Sequence, residues 1–230
     1  MTIRVATYNV HGMRDDVPAL VRVIRATRPD ILCVQEVPRR WSWRRKRARL
    51  AAETGMIVAA GRRRGGTAVL TGPDVRVLRA ETHLLRFYFF LERRATAIAV
   101  VESGGLRVAV ASVHLDLHVA ARARHAEEAV TLLEAAAEPY GAALVLAGDI
   151  NEQAHQDTFR HLAGRLADCY ARAPRGEGMT FSARRPAKRI DAVFAGPGLS
   201  IVSCGGVDAD PADLAAASDH LPVVAELRAS

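Results

Sequence analysis

Ala142-Ala143-Leu144-Val145-Leu146-Ala147-Gly148-Asp149-Ile150-Asn151 sets the pattern on which the chain is built. Leu144 to Ala147 is apolar at consecutive positions, as expected of a strand buried on both faces, and it stops at a carboxylate and an amide. Three other β-prone runs stop the same way: Ile3 to Tyr8 at Asn9, Ile31 to Val34 at Gln35-Glu36, and Arg107 to Val113 at His114. Two more begin with polar groups. Asp191 opens a run through Phe194, and Ser218-Asp219-His220-Leu221-Pro222 leads into the β-formers ending at Leu227. Pro222 limits Leu221 to extended backbone, so Asp219 and His220 stand at the mouth of the last strand. For all six positions to meet, four strands must run toward a common edge and two away from it. Mixed sheets with helices over their outer faces make a layered α/β sandwich.

The intervening segments supply those helices. Val17, Leu20, Val21 and Ile24 recur at helical spacing between Asp15-Asp16 and Pro29-Asp30. Val119, Ala123, Ala126, Val130, Leu133 and Ala137 mark an amphipathic helix. Residues 39–54 predict a basic helix closed by Gly55, and 156–164 a short one. Runs at 56–60, 67–71 and 74–79 read as hairpin strands, and 95–101 pairs with 107–113 across Ser103-Gly104-Gly105. Phe87-Tyr88-Phe89-Phe90, the one aromatic cluster, reads as strand or core. With no repeat and no linker, residues 1–230 are expected to form a single domain.

Composition narrows the function. Half the residues are apolar and a quarter charged, as in soluble globular chains, and no apolar run approaches the ~18 residues of a membrane span. Met1 to Val5 leads straight into a strand, so no secretory leader is expected. Cys33, Cys169 and Cys204 are widely spaced, which predicts a reduced, cytoplasmic setting without disulfides or a thiolate zinc cluster. The net charge of +7 points to a phosphate-containing partner, nucleic acid or acidic lipid headgroups. All but two of the 32 basic residues are Arg, a compositional bias that discounts this signal.

The six strand ends together offer carboxylates at Glu36, Asp149, Asp191 and Asp219, amides at Asn9 and Asn151, and imidazoles at His114 and His220. No Ser or Cys nucleophile with a paired base is evident. Hard oxygen donors with few nitrogens suit Mg2+ or Mn2+ better than zinc. A metal, a basic carboxylate, amide donors and an imidazole are the parts needed for in-line attack of water on phosphorus.

Thr7-Tyr8-Asn9-Val10-His11-Gly12, Val34-Gln35-Glu36, Ser112-Val113-His114-Leu115, Gly148-Asp149-Ile150-Asn151, Arg189-Ile190-Asp191 and Ser218-Asp219-His220-Leu221-Pro222 resemble, in order, motifs of the endonuclease/exonuclease/phosphatase (DNase I-like) superfamily. That superfamily includes DNase I-like nucleases, sphingomyelinases and inositol-polyphosphate 5-phosphatases. The resemblance implies a four-layer α/β/β/α sandwich and a divalent-metal-dependent phosphoesterase. By it, Glu36 is the principal metal ligand, helped by Asn9 and Asp219. Asp149 positions or activates water, and Asn151 contacts phosphate. His220, supported by Asp219, binds the scissile phosphate or shares in proton transfer. His114 with Asp191 forms a second imidazole–carboxylate pair. His11 is either a phosphate contact or an ordinary loop residue. Tyr8 replaces a common Trp, and His114 stands where the abasic-site endonuclease branch has Tyr, which favours the DNase I, sphingomyelinase and 5-phosphatase side. Nucleic acid is the expected substrate, with phospholipid or inositol phosphate as the alternative.

Geometry follows from these assignments: His220 and Asp149 should lie within one phosphate's reach. Of the Arg clusters at 39–49, 62–64 and 184–189, the first and third are expected to rim the catalytic edge. Trp41 and Trp43 either anchor the basic helix or stack on bases. His118, His125, His155 and His161 are expected to be solvated, His83 structural, and Cys33 an inert core thiol.

Overall fold

A computed structural model describes residues 2–39 and 42–230. Two mixed sheets pack face to face and helices cover both outer faces. The first sheet uses β1 (Thr2–Asn9), β2 (Ile31–Gln35), β3 (Ile57–Ala60), β4 (Ala68–Thr71), β10 (Pro174–Arg175), β12 (Leu199–Gly205) and β13 (Val223–Ala229), in the order β10-β12-β13-β1-β2-β4-β3. The second uses β5 (Arg76–Leu84), β6 (Ala95–Ser103), β7 (Leu106–His114), β8 (Ala143–Asp149), β9 (Ala167–Asp168) and β11 (Asp191–Ala195), in the order β5-β6-β7-β8-β11-β9.

Alternation along the strands sorts their side chains into three apolar layers. Ile3, Val5, Ile31 and Cys33 face inward and meet Val108, Val110, Val145 and Val193 of the other sheet. Ala6, Tyr8, Leu32 and Val34 face outward onto α1 (Val17–Thr27) and α2 (Trp43–Thr54). On the far side, Ala109, Ala111 and Leu146 pack against α3 (Val119–Ala137) and α4 (Asp157–Arg165). Two short helices, α5 (Cys169–Arg172) and α6 (Pro211–Ala217), complete the set. The result is the four-layer α/β/β/α sandwich. No helix among the described residues is long and apolar enough to cross a membrane.

Pairing brings the strand ends together. β1 and β2 are parallel with Asn9 opposite Gln35, and β7 and β8 are parallel with His114 opposite Asp149. β11 runs antiparallel to β8, placing Asp191 opposite Asp149, and β13 runs antiparallel to β1. A polar clamp locks the sheets one layer below that edge. Gln35 accepts from Thr7 Oγ1 at 3.2 Å and donates to Ser112 Oγ at 3.1 Å, and Ser112 Oγ donates to Val34 O at 3.2 Å. All three residues are fully buried.

Several expectations need correction. The strand expected over 74–79 runs instead from Arg76 to Leu84 and leaves its presumed hairpin to form the edge of the second sheet against β6. The aromatic run forms no strand and is mostly exposed. The basic helix begins at Trp43, capped at its end by left-handed Gly55. Trp41 lies outside the described residues, while the Trp43 ring lies beside the Arg44 and Arg47 guanidiniums at 5.3 and 4.9 Å. His125 is buried, with Nε2 2.9 Å from the Arg86 carbonyl.

Gly148 marks the closest approach of β7 and β8. A Cβ there would stand 2.0 Å from the Val113 carbonyl oxygen, which is ladder backbone and has nowhere to go. Gly148→Ala is therefore expected to cost about 2–3 kcal/mol or more in a urea titration and to lower activity by displacing Asp149. Near wild-type stability would show that this ladder yields more easily than its geometry implies.

Candidate active site

Two of the four outgoing strands, β1 and β8, end in side-chain-to-backbone turns. The Asn9 Oδ1 accepts the His11 N–H at 3.1 Å, and the Asp149 Oδ1 accepts the Asn151 N–H at 3.0 Å. Each residue thus spends one atom on its turn and keeps the other for the site. Glu36, His11 and Asn151 adopt left-handed backbone (φ +52°, +43° and +55°), which for Glu36 costs on the order of 1 kcal/mol. That twist re-aims Glu36 at the strand exit.

Asn9 Nδ2 is the meeting point. It donates to Glu36 Oε1 and to Asp149 Oδ2, both at 3.1 Å, and lies 3.5 Å from His220 Nε2. Ser218 Oγ holds the same residue from behind by donating to the Asn9 carbonyl at 2.7 Å. His220 Nε2 is 3.7 Å from Asp149 Oδ2, and His114 Nε2 is 3.4 Å from that oxygen. Asn151 Nδ2 donates to the Leu115 carbonyl at 3.0 Å and has a second N–H to give.

Two expected pairings are replaced. Asp191 partners His220, whose Nδ1 lies 2.9 Å from Asp191 Oδ2, and does not partner His114. The reason is strand order: β8 separates β7 from β11, so His114 and Asp191 start two strand spacings apart, about 9.6 Å. Asp219, the expected support for His220, is half-exposed and points toward His11 at 3.9 Å. His11 Nδ1 itself sits 2.7 Å from Asp15.

Burial and charge divide the titratable groups. Burial pushes the Asp149 carboxyl up to about 7, reinforced by Asp191 and opposed by His220, Asn9 and the Asn151 N–H. Burial alone would pull His220 down, but the charge and hydrogen bond of Asp191, then Asp149 and Asp219, lift it to about 9. Burial, with the Arg94, His220 and Arg39 cations, holds His114 well below the usual imidazole range. At neutral pH the site contains one cationic and one neutral imidazole on either side of Asp149.

The donor set fits a hard divalent cation. Asp149, Asp191 and His220 offer ligand atoms within 4.8 Å of one another, and Asp191 Oδ1 is buried without a hydrogen-bond partner. Glu36 lies within the same amide's reach as Asp149. This grouping differs from the expected ligand set of Asn9, Glu36 and Asp219, of which Asp219 lies farthest from the centre.

Sequence reasoning put the first Arg cluster at this edge and passed over the second. A cavity of about 900 Å3 opens beside Glu36, lined by Arg14, Arg39, Lys46, Arg63, Arg64 and Arg93, with Glu92 as the other acid. The second Arg cluster, 62–64, reaches it because Val37 N–H donates to the Gly66 carbonyl at 3.0 Å, carrying the loop before β4 past Glu36. The signal was available, since an antiparallel partner of β2 must begin where β2 ends. The third cluster contributes differently: Arg189 is tied to Asp168 at 2.7 Å, away from that cavity. Thr180 was also missed; its Oγ1 accepts the Ile190 and Asp191 N–H groups at 3.2 Å and steadies the start of β11.

Carboxylates, amides and a split pair of imidazoles at the edge of a four-layer sandwich define a phosphoesterase-type hydrolase. The chain belongs to the Endonuclease/Exonuclease/phosphatase family, whose model matches residues 6–220. Members of this family are divalent-metal-dependent hydrolases of phosphoric esters. Among solved structures, the chain is similar to an endonuclease/exonuclease/phosphatase from Bacteroides vulgatus, with 21% identity, TM-score 0.83 and full coverage of both chains. A mannosyl-6-phosphatase from Bacteroides thetaiotaomicron gives 20% identity and TM-score 0.79, covering 98% of this chain and 99% of that one. The human Nocturnin catalytic domain gives 17% and 0.71, covering 100% and 95%. No curated protein sequence matches. At these identities the likeness establishes the fold.

The His220 assignment carries a pH signature. Folded His220 keeps its proton to about 9, against about 6.5 in an unfolded chain, so its contribution is complete below 6.5 and is lost as pH rises through 9. Asp149 acts with the same sign at lower pH, and His114 with the opposite sign below 6.5. Between pH ~7 and ~8 His220 acts alone, because the buried thiols of Cys33, Cys169 and Cys204, which burial also pushes up, contribute only as the unfolded thiols ionise nearer pH 9. In EDTA, unfolding free energy should fall by about 1 kcal/mol between pH ~7 and ~8, and His220→Asn should flatten that slope. An unchanged slope in the variant would remove the His220–Asp191 pair as its source.

Proposed function

We propose that this protein is a Mg2+-dependent phosphodiesterase acting on nucleic acid, with Mn2+ as a competent substitute. The observation that carries this reading is the cationic cavity beginning at Glu36. Arg14, Lys46 and Arg64 have no carboxylate partner among the described residues, so the cavity keeps a surplus of positive charge beside the site. Charge of that kind suits a ligand with phosphates beyond the one being cleaved.

Glu36 and Asp149 would hold the metal, with Asp191 Oδ1 as the further buried oxygen. When bound, the ion neutralises charge on the phosphoryl oxygens. The protein's own groups do the rest. Asp149, steadied by Asn9 and the Asn151 N–H, orients water and accepts its proton. Cationic His220, backed by Asp191, faces the phosphate, stabilises charge as it develops and can pass its proton to the leaving oxygen as the P–O bond breaks. Neutral His114 stands on the other side of Asp149, where it can accept a proton. The second N–H of Asn151 and the imidazole of His11 face the phosphate position.

Asp149→Asn removes the acceptor while relieving a buried carboxylate. It should lower kcat by at least ~10^3-fold with thermal stability equal to or above wild type. Turnover near the wild-type rate would end the assigned role. Substrate class is checked by a Mg2+/Mn2+ screen over nucleic acids, sphingomyelin and inositol phosphates, with Glu36→Ala as control. Hydrolysis of a lipid or inositol phosphate with nucleic acid left intact would reverse the substrate reading.

The cavity makes its own prediction. Arg63→Ala/Arg64→Ala should weaken nucleic-acid binding and reduce the slope of log affinity against log salt by about 1, near 0.7 per lost phosphate contact on a single strand. An unaltered salt slope would show that phosphates do not lie there.

A further inference from the structure

Phe87-Tyr88-Phe89-Phe90 forms the tip of the loop from β5 to β6. The stem of the loop is anchored on α3. Arg86 N–H donates to Glu128 at 2.8 Å, and the Tyr88 ring turns inward, edge-on to His125 at 5.7 Å. The three phenylalanines remain outside, with Phe87, Phe89 and Phe90 exposed at 52, 75 and 94%. Single exposed apolar residues are ordinary, but three adjacent rings on an anchored loop form a patch. Phe90 also takes left-handed backbone at φ +69°, unusual for so bulky a residue.

The rings meet edge to face at 73° and 87°, with centroids 6.2 and 4.8 Å apart, and the exposure of Phe89 and Phe90 leaves ring surface open to a planar ligand. Arg93 stacks its guanidinium 4.7 Å from the Phe87 centroid, and the same Arg93 lines the cationic cavity beside Glu36. Arg93 thus joins the aromatic tip to the cationic wall.

We infer that this loop binds single-stranded nucleic acid, with unpaired bases stacked on Phe87, Phe89 and Phe90 and the backbone phosphates along Arg93, Arg63 and Arg64. The inference rests on the nucleic-acid reading above and narrows it to unpaired strands. Stacking on aromatic rings is sequence-tolerant because every base has a π-face, whereas a duplex conceals those faces and engages only the cations. A bilayer wedge fits less well. Arg93 lies on the ring of Phe87, which keeps a guanidinium against a ring that a wedge would have to bury among acyl chains.

The test measures binding of the full chain in EDTA to a labelled 12-nucleotide strand, the same sequence as duplex, and an abasic strand of equal length. Wild type should bind the base-bearing strand at least 10-fold more tightly than the duplex. Phe89→Ala/Phe90→Ala, with an unchanged circular dichroism spectrum, should lose about 10-fold or more on that strand and under 2-fold on the abasic one. Equal losses on both strands, or none on either, would overturn the stacking role. So would loss of binding to phosphatidylglycerol vesicles while strand binding persists, which would make the loop a membrane contact. Nucleic acid cleaved without preference for single strands would remove this inference alone. Failure of wild type to bind or cleave any nucleic acid would remove the functional reading as well.

Discussion

The side-chain amide of Asn9 is the point on which the catalytic edge depends. Its nitrogen donates to a carboxylate at the end of its own sheet, Glu36, and to one at the end of the facing sheet, Asp149. One NH2 group therefore fixes the separation of two acids that would otherwise repel, and it does so in a buried setting where an unpaired donor is costly. The sheets must already be in register for this to work. The Gln35 clamp with Thr7 and Ser112, one layer below, supplies that register through polar contacts that tolerate no slip.

Three groups that ordinarily titrate within three pH units of one another are separated by their surroundings. His220 gains Asp191 and stays charged, whereas His114 faces Arg94 and Arg39 and stays neutral. Asp149 lies between them, its charge disfavoured by burial and by Asp191 yet tempered by His220. Two imidazoles beside one carboxylate thus differ in charge. The difference comes from which neighbours the topology supplies, since both imidazoles are buried.

What was legible in the sequence follows the same division. The fold could be read because strands ending in polar groups alternate with amphipathic helices, and a mixed sandwich is the arrangement that brings those ends together. Asn9 and Asp149 could be read either as turn residues or as functional ones; in the structure each closes its turn with one side-chain atom and bonds across the strand ends with the other. Partner choice could not be read. Whether Asp191 meets His114 or His220 depends on strand order, which spacing along the chain does not encode. The aromatic run was misassigned because apolarity alone does not distinguish a core strand from an exposed tip, and its anchors, His125 and Glu128, lie far along the chain.

The cationic cavity shows how topology turns a compositional bias into a site. Arginine is spread along much of the chain, and most of it is solvated or paired, as Arg22, Arg124 and Arg165 are with nearby acids. Arg39, Arg63, Arg64 and Arg93 differ because each lies in a segment that enters or leaves a strand near Glu36. Gly65 lets two of those segments close on each other, since a Cβ there would meet Ala95 Cβ at 2.0 Å. Their like charges are thus held together at the one edge where a phosphate ester would neutralise them. A fold that gathers strand ends also gathers the loops between them, so the polar edge and the cationic cavity beside it arise from the same connections.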